Sequence, residues 1–95
     1  MFVKKLVGDD LERLSVSEFK TAKKWPFVVV LDNVRSMNNV GSMMRSCDAF
    51  LCEEMILCGI TATPPHREIT KTASGAENSV SWKYVNQTVE AVRGL

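Results

Sequence analysis

The sequence is poor in the residues that build the commonest kinds of site. It has one histidine and three cysteines. Cys47, Cys52 and Cys58 lack metal-ligand spacing, and His66 follows two prolines with no cysteine or carboxylate placed to join it. No zinc or other metal centre is expected, and an odd cysteine count argues for reduced thiols in a cytoplasmic protein. Neither G-x-G-x-x-G nor G-x-x-x-x-G-K-[ST] occurs, which disfavours a small nucleotide-binding α/β domain of the phosphate-cradling kind. No apolar run approaches the roughly 18 residues of a membrane helix. Met1 to Asp10 carries the Lys4-Lys5 pair but no apolar core before Asp9, so no export signal is expected. A formal net charge of +1 gives no bulk positive field, and any nucleic-acid contact must rest on a few placed cations.

What remains is a chain of one domain's size. Its 95 residues, 45% hydrophobic and 24% charged, suffice for a single core, although so short a chain is expected to lean on a partner. The whole of 1–95 reads as one domain, with 1–14 a leading arm. Residues 1–48 carry eight cations and six anions, and 49–95 carry four and five, a weak basic tilt toward the amino-terminal half.

Hydrophobic periodicity and punctuation set the elements. Ser15-Val16-Ser17-Glu18 fits a capping box, and a short helix near 16–24 follows, with Phe19 and Ala22 inward and an end before the Trp25-Pro26 step. Phe27-Val28-Val29-Val30-Leu31 is an unbroken apolar run suited to a strand covered on both faces, and is expected to be the central strand. Asp32 to Asn39 reads as a polar loop. From Val40 the apolar positions 40, 43, 44, 47 and 51 mark one face of a helix of about three turns. Met55 to Cys58 is a second buried strand stopped by Gly59, and Pro64-Pro65 leads into a helical stretch near 66–72. Ser79 to Tyr84 is a third strand candidate, and Val85, Val89 and Val92 stand at helical spacing in a last segment. This rhythm predicts an α/β fold, three-layer α/β/α with a parallel sheet and right-handed crossovers. Three strands make a narrow sheet with two edges, and the last helix breaks off with its apolar face incomplete.

The loop and helix from Leu31 to Arg45 stand at the carboxyl end of one strand and the amino end of a helix, where open α/β sheets place ligands. Arg45 faces away from the apolar stripe. Gly41, one turn earlier, has no side chain to screen it, so a ribose or phosphate is able to approach. Asn39 occupies the expected N-cap. Spacing alone leaves a plainer account open: Asn38 or Asn39 caps the helix, Gly41 permits close packing, and Arg45 pairs with Asp48. Trp82 and Tyr84 are read as sheet residues before base-stacking ones.

Asn39-x-Gly41-x-x-x-Arg45-x-x-Asp48-Ala49-Phe50, after a strand ending Leu31-Asp32-Asn33, resembles the first signature motif of SpoU-type, TrmH-like RNA ribose 2′-O-methyltransferases of the SPOUT superfamily. Leu57 to Thr61, Pro64 to Ile69 and Lys71 to Ala76 are similar to the family's second strand, following loop and approach to the third strand. Together the likeness covers roughly residues 15–95. It implies methyl transfer from S-adenosylmethionine to a ribose 2′-hydroxyl of tRNA or rRNA, and a homodimer whose chains share each active site. Arg45 matches the catalytic arginine and Asn39 the asparagine beside it, while Arg35, Ser36 and Gly41 are candidate RNA contacts. Gly75-Ala76-Glu77 is placed at the site entrance. Leu51 stands where the family often has glycine, and Ser74 replaces a commonly apolar residue. The motifs that build the trefoil knot and hold the methyl donor have no counterpart before Leu95. The expectation is therefore a partial SPOUT (α/β knot) fold: the amino-terminal half of a catalytic domain, with no cofactor-binding residues and no activity alone. The alternative is a non-catalytic RNA-binding or dimerisation module.

Overall fold

The computed structural model describes residues 16–95. The leading arm, the capping role of Ser15 and the inward placement of Phe19 lie outside the described residues. The chain runs α1 (Val16–Thr21), β1 (Trp25–Asp32), α2 (Met37–Ala49), β2 (Cys52–Cys58), α3 (Arg67–Ala73), α4 (Ala76–Ser79), β3 (Trp82–Val85) and α5 (Thr88–Arg93). Helix α1 ends at Thr21, earlier than expected. Trp25 is already in the strand, as the residue before a proline prefers.

All three strands are parallel, in the order β1-β2-β3. The central strand is therefore β2, and β1 is an edge, contrary to the expectation from its apolar run. Burial agrees: Val28, Val29 and Val30 are half-buried, whereas Met55, Ile56, Leu57 and Cys58 are fully enclosed. Val29 pairs with Met55 and Leu31 with Leu57 in one register, and Met55 pairs with Trp82 in the next. The β1 register is irregular between Trp25 and Val28, where Pro26 has no N–H to donate.

Alternation along the strands divides the core in two. Leu31, Met55 and Leu57, with half-buried Val29, pack beneath α2, α3 and α4, against Val40, Met44, Cys47, Ile69, Ala73 and Ala76. Ile56 and Cys58, with half-buried Val28, Val30 and Val85, meet Ala91 of α5 on the opposite face. The expected three layers are present. Each fully buried Met, Leu or Ile contributes on the order of 1.5–3 kcal/mol, so most of the stabilisation lies on the α2 side. Val89, Val92 and Leu95 of the α5 segment remain exposed. All three cysteines are buried and free. Burial first, and then the neighbouring Cys52 thiol, push the Cys47 thiol far up, so it stays protonated and unreactive.

Helix α2 starts at Met37 rather than Val40. Its N-cap is Ser36, extended at φ −80°, and the backbone N–H of Asn39 donates to Ser36 Oγ at 3.1 Å. Asn39 is therefore a first-turn residue and not the cap, because a serine hydroxyl three positions earlier already satisfies that orphan donor. The third strand begins at Trp82, since residues 76–79 form α4.

Candidate functional site

The carboxyl ends of the three strands are tied to one another by side chains. Thr61 Oγ1 accepts the Val34 N–H at 2.9 Å and donates to the Leu31 carbonyl at 3.1 Å. Asn33, at φ 53°, turns its amide oxygen to accept the Ile60 N–H at 2.9 Å. Gly59, at φ +65°, leaves room for it, since a Cβ there would lie 1.8 Å from Asn33 Oδ1. Tyr84 donates its hydroxyl to the Gly59 carbonyl at 2.7 Å, and Thr88 donates to Asp32 Oδ1. Tyr84 thus acts as a sheet tie, and Trp82 is half-buried against the core. The Asp32-Asn33 pair that closes the first strand is structural.

The surface of α2 is different. Val40, Gly41, Met44, Cys47 and Asp48 are buried, while Asn39, Ser42, Arg45 and Ser46 are exposed. Gly41, expected to be open to a ligand, is covered by α3, and Asp48 is buried as well. A Cβ on Gly41 would lie 1.9 Å from Thr72 Oγ1 and 2.5 Å from the Ile69 carbonyl oxygen. Gly41 is therefore the notch into which α3 fits, and no ribose or phosphate reaches it. This corrects its place among the RNA contacts.

Two shallow depressions flank the exposed strip. In one, Asn39 stands with Leu31, Val34, Ser42, Met43 and Ser46. In the other, of about 590 Å³, Arg45 stands with Ser42, Ser46, Ala49, Lys71 and Thr72. Ser42 and Ser46 belong to both, so a continuous polar track joins Asn39 to Arg45. Among the described residues Arg45 has no ion pair, and the alternative pairing with Asp48 is not made. Arg35 is exposed in the loop before α2 and lines neither depression. Ser36 lies at the same end, its oxygen occupied by the cap while its O–H stays available. Lys71 is the charged residue of the track that the sequence reading left without a role.

Residues 26–95 match the model of the SpoU rRNA methylase family. The chain belongs to that family. The SpoU methyltransferase AviRb from Streptomyces viridochromogenes is similar in structure at TM-score 0.64 and 26% identity, over 72% of this chain and 27% of that one. An rRNA methyltransferase from Sinorhizobium meliloti is similar at TM-score 0.64 and 30% identity, over 70% of this chain and 26% of that one. AviRb in complex with AdoMet shares the fold over 95% of this chain and 32% of its own length, at TM-score 0.66 and 23% identity. The chain thus spans a third or less of the length of these solved structures. No curated protein matches it.

Within this SpoU frame the two sequence departures have local explanations. Leu51 adopts φ 54°, a conformation glycine takes without steric cost, and its side chain packs against the main core cluster. Ser74, also at φ 53°, ends α3 and is exposed, so no apolar packing is lost there. Glu77, in α4, holds one buried carboxylate oxygen without a hydrogen-bond partner among the described residues. His66 precedes α3 and makes no side-chain cap. No metal-binding cluster exists among the described residues, and no helix among them is long and apolar enough to cross a membrane.

In open α/β sheets a nucleoside cofactor sits at the carboxyl ends of the strands. Here Asn33, Thr61 and Tyr84 hold hydrogen bonds to backbone groups of Ile60, Val34, Leu31 and Gly59, and Thr88 bonds to Asp32.

Proposed function

We propose that this chain is the substrate-side, amino-terminal half of the catalytic domain of an RNA ribose 2′-O-methyltransferase. One observation carries the reading: in a SpoU family chain, the motif arginine Arg45 stands exposed and free of ion pairs on a polar track, beside a second cation. A guanidinium that stays charged at all physiological pH values is suited to a phosphodiester, which it grips through two parallel N–H donors.

The chemistry asked of the site follows from the nucleophile. A ribose 2′-hydroxyl attacks poorly while protonated, so its proton must leave as the oxygen approaches the methyl group. Arg45 is permanently protonated and is not itself the base. It holds the adjacent phosphate so that a phosphate oxygen accepts that proton, and its field stabilises the developing alkoxide. Asn39, at the other end of the track, positions the backbone, and Ser42 and Ser46 offer hydroxyls between them. Arg35 and Ser36 extend the contact surface toward the loop. S-adenosylmethionine is the donor on this reading, held by residues other than those described. A homodimer and a cytoplasmic location complete the proposal.

Incubation of the 95-residue chain with labelled S-adenosylmethionine and transcript RNA is expected to give no transfer. The same chain binds RNA with an affinity that falls steeply with salt and is weakened about tenfold or more in Arg45→Ala. Label transfer by the chain alone overturns the division of labour. RNA affinity that ignores Arg45 overturns the assignment of the site.

A further inference from the structure

We propose that Lys71 is a second phosphate-binding residue, so that the seam between α2 and α3 grips one RNA phosphodiester between a guanidinium and an ammonium. The inference rests on the reading of this chain as one that acts on RNA, and adds a residue from a different helix to the site.

Packing is the starting point. Helix α3 crosses α2 at Gly41, and the contact is closer than any Cβ would allow. Thr72, which fills the notch, turns its hydroxyl back to donate to the Glu68 carbonyl at 3.1 Å, so it offers no bond across the seam. The close crossing fixes what lies on either side of it. Arg45 follows Gly41 by one helical turn, and Lys71 precedes Thr72 by one residue. Both line the same depression of about 590 Å³.

Electrostatics supplies the second reason. Two exposed cations share an opening, and among the described residues neither forms an ion pair with a carboxylate. Lys83, by contrast, is paired with Glu54 at 3.7 Å on the neighbouring strands β2 and β3. Like charges held together without a counter-charge repel, and an anion between them relieves the repulsion. Ser42 and Ser46, on successive turns of α2, line the same opening. The ligand class follows from shape. The depression is open and continues along Ser42 and Ser46 toward Asn39, which suits a group threaded in a polymer backbone.

The test is fluorescence anisotropy of the 95-residue chain with a labelled single-stranded 12-residue oligoribonucleotide at several salt concentrations. Loss of one charge-assisted contact in Lys71→Ala is expected to raise Kd about tenfold and to make the salt dependence shallower. Lys71→Arg restores both, and Lys83→Ala, which removes a cation outside the seam, changes neither. A shared phosphate makes the Arg45→Ala, Lys71→Ala double variant lose less than the product of the two single effects. If Arg45→Ala weakens binding and Lys71→Ala does not, the proposal falls while the RNA reading stands. If Lys83→Ala weakens binding as much as Lys71→Ala, the effect is one of overall charge and the proposal falls. No binding by the parent chain overturns the reading and the proposal together.

Discussion

The carboxyl end of the sheet and the α2–α3 seam are both built from motif residues, yet they have opposite designs. At the sheet end, Thr61, Asn33 and Tyr84 bond to the backbone of Val34, Leu31, Ile60 and Gly59, and Thr88 bonds to Asp32, so these side chains are engaged within the fold. At the seam, the close crossing at Gly41 uses only backbone and small side chains, and leaves Arg45, Lys71, Ser42 and Ser46 facing outward. The contrast shows that the chain contains two kinds of part. One fixes the turn out of the strand, and the other presents charge.

Substitutions that strike one region and spare the other test this division. The largest effect is expected from Gly41→Val, whose side chain has no room against Thr72 Oγ1 and the Ile69 carbonyl. A loss of about 3 kcal/mol in urea-unfolding stability is expected, with RNA affinity falling as α3 is displaced. An unchanged denaturation midpoint would remove Gly41 from its role as the notch. Next comes Thr61→Val, which keeps the shape and deletes a buried hydroxyl bonded to Val34 and Leu31. It is expected to cost about 2 kcal/mol while leaving RNA affinity unaltered at temperatures where the variant is folded; an equal loss of affinity would mean that the two regions are not separable. Arg45→Gln should have the smallest effect on stability, under about 0.5 kcal/mol, because the side chain is exposed and has no ion-pair partner. A thermal midpoint shifted by several degrees would show that Arg45 supports the fold.

Much of the architecture was legible because strands and helices here announce themselves by periodicity. The β-branched run of β1, the positions Val40, Met44 and Cys47 of the α2 stripe, and the breaks at Gly59 and Pro64-Pro65 lie where the pattern places them, whereas Met43 of that stripe is exposed and Leu51 falls past the helix end. The misreadings share one physical origin. Periodicity reports which faces are covered, but not what covers them. An edge strand with helices on both faces carries the same apolar run as a central one, so β1 and β2 were ranked in the wrong order. Gly41 looks solvent-facing on a wheel, and only the positions of Thr72 and Ile69 show it to be sealed. Ser36 displaced Asn39 as the cap because both are good capping residues, and the choice depends on where the chain leaves the loop. Lys71 carried no signal of its own. Its place beside Arg45 follows from the crossing of two helices separated by a strand and a loop.

The irregular start of β1 has a bearing on how this chain behaves at high concentration. An unpaired parallel edge is a template for strands of other molecules. Among the described residues, Pro26 removes one backbone donor near the start of β1, which shortens the stretch able to recruit a stranger. Pro26, one residue into the strand, therefore serves as a guard against fibrous association.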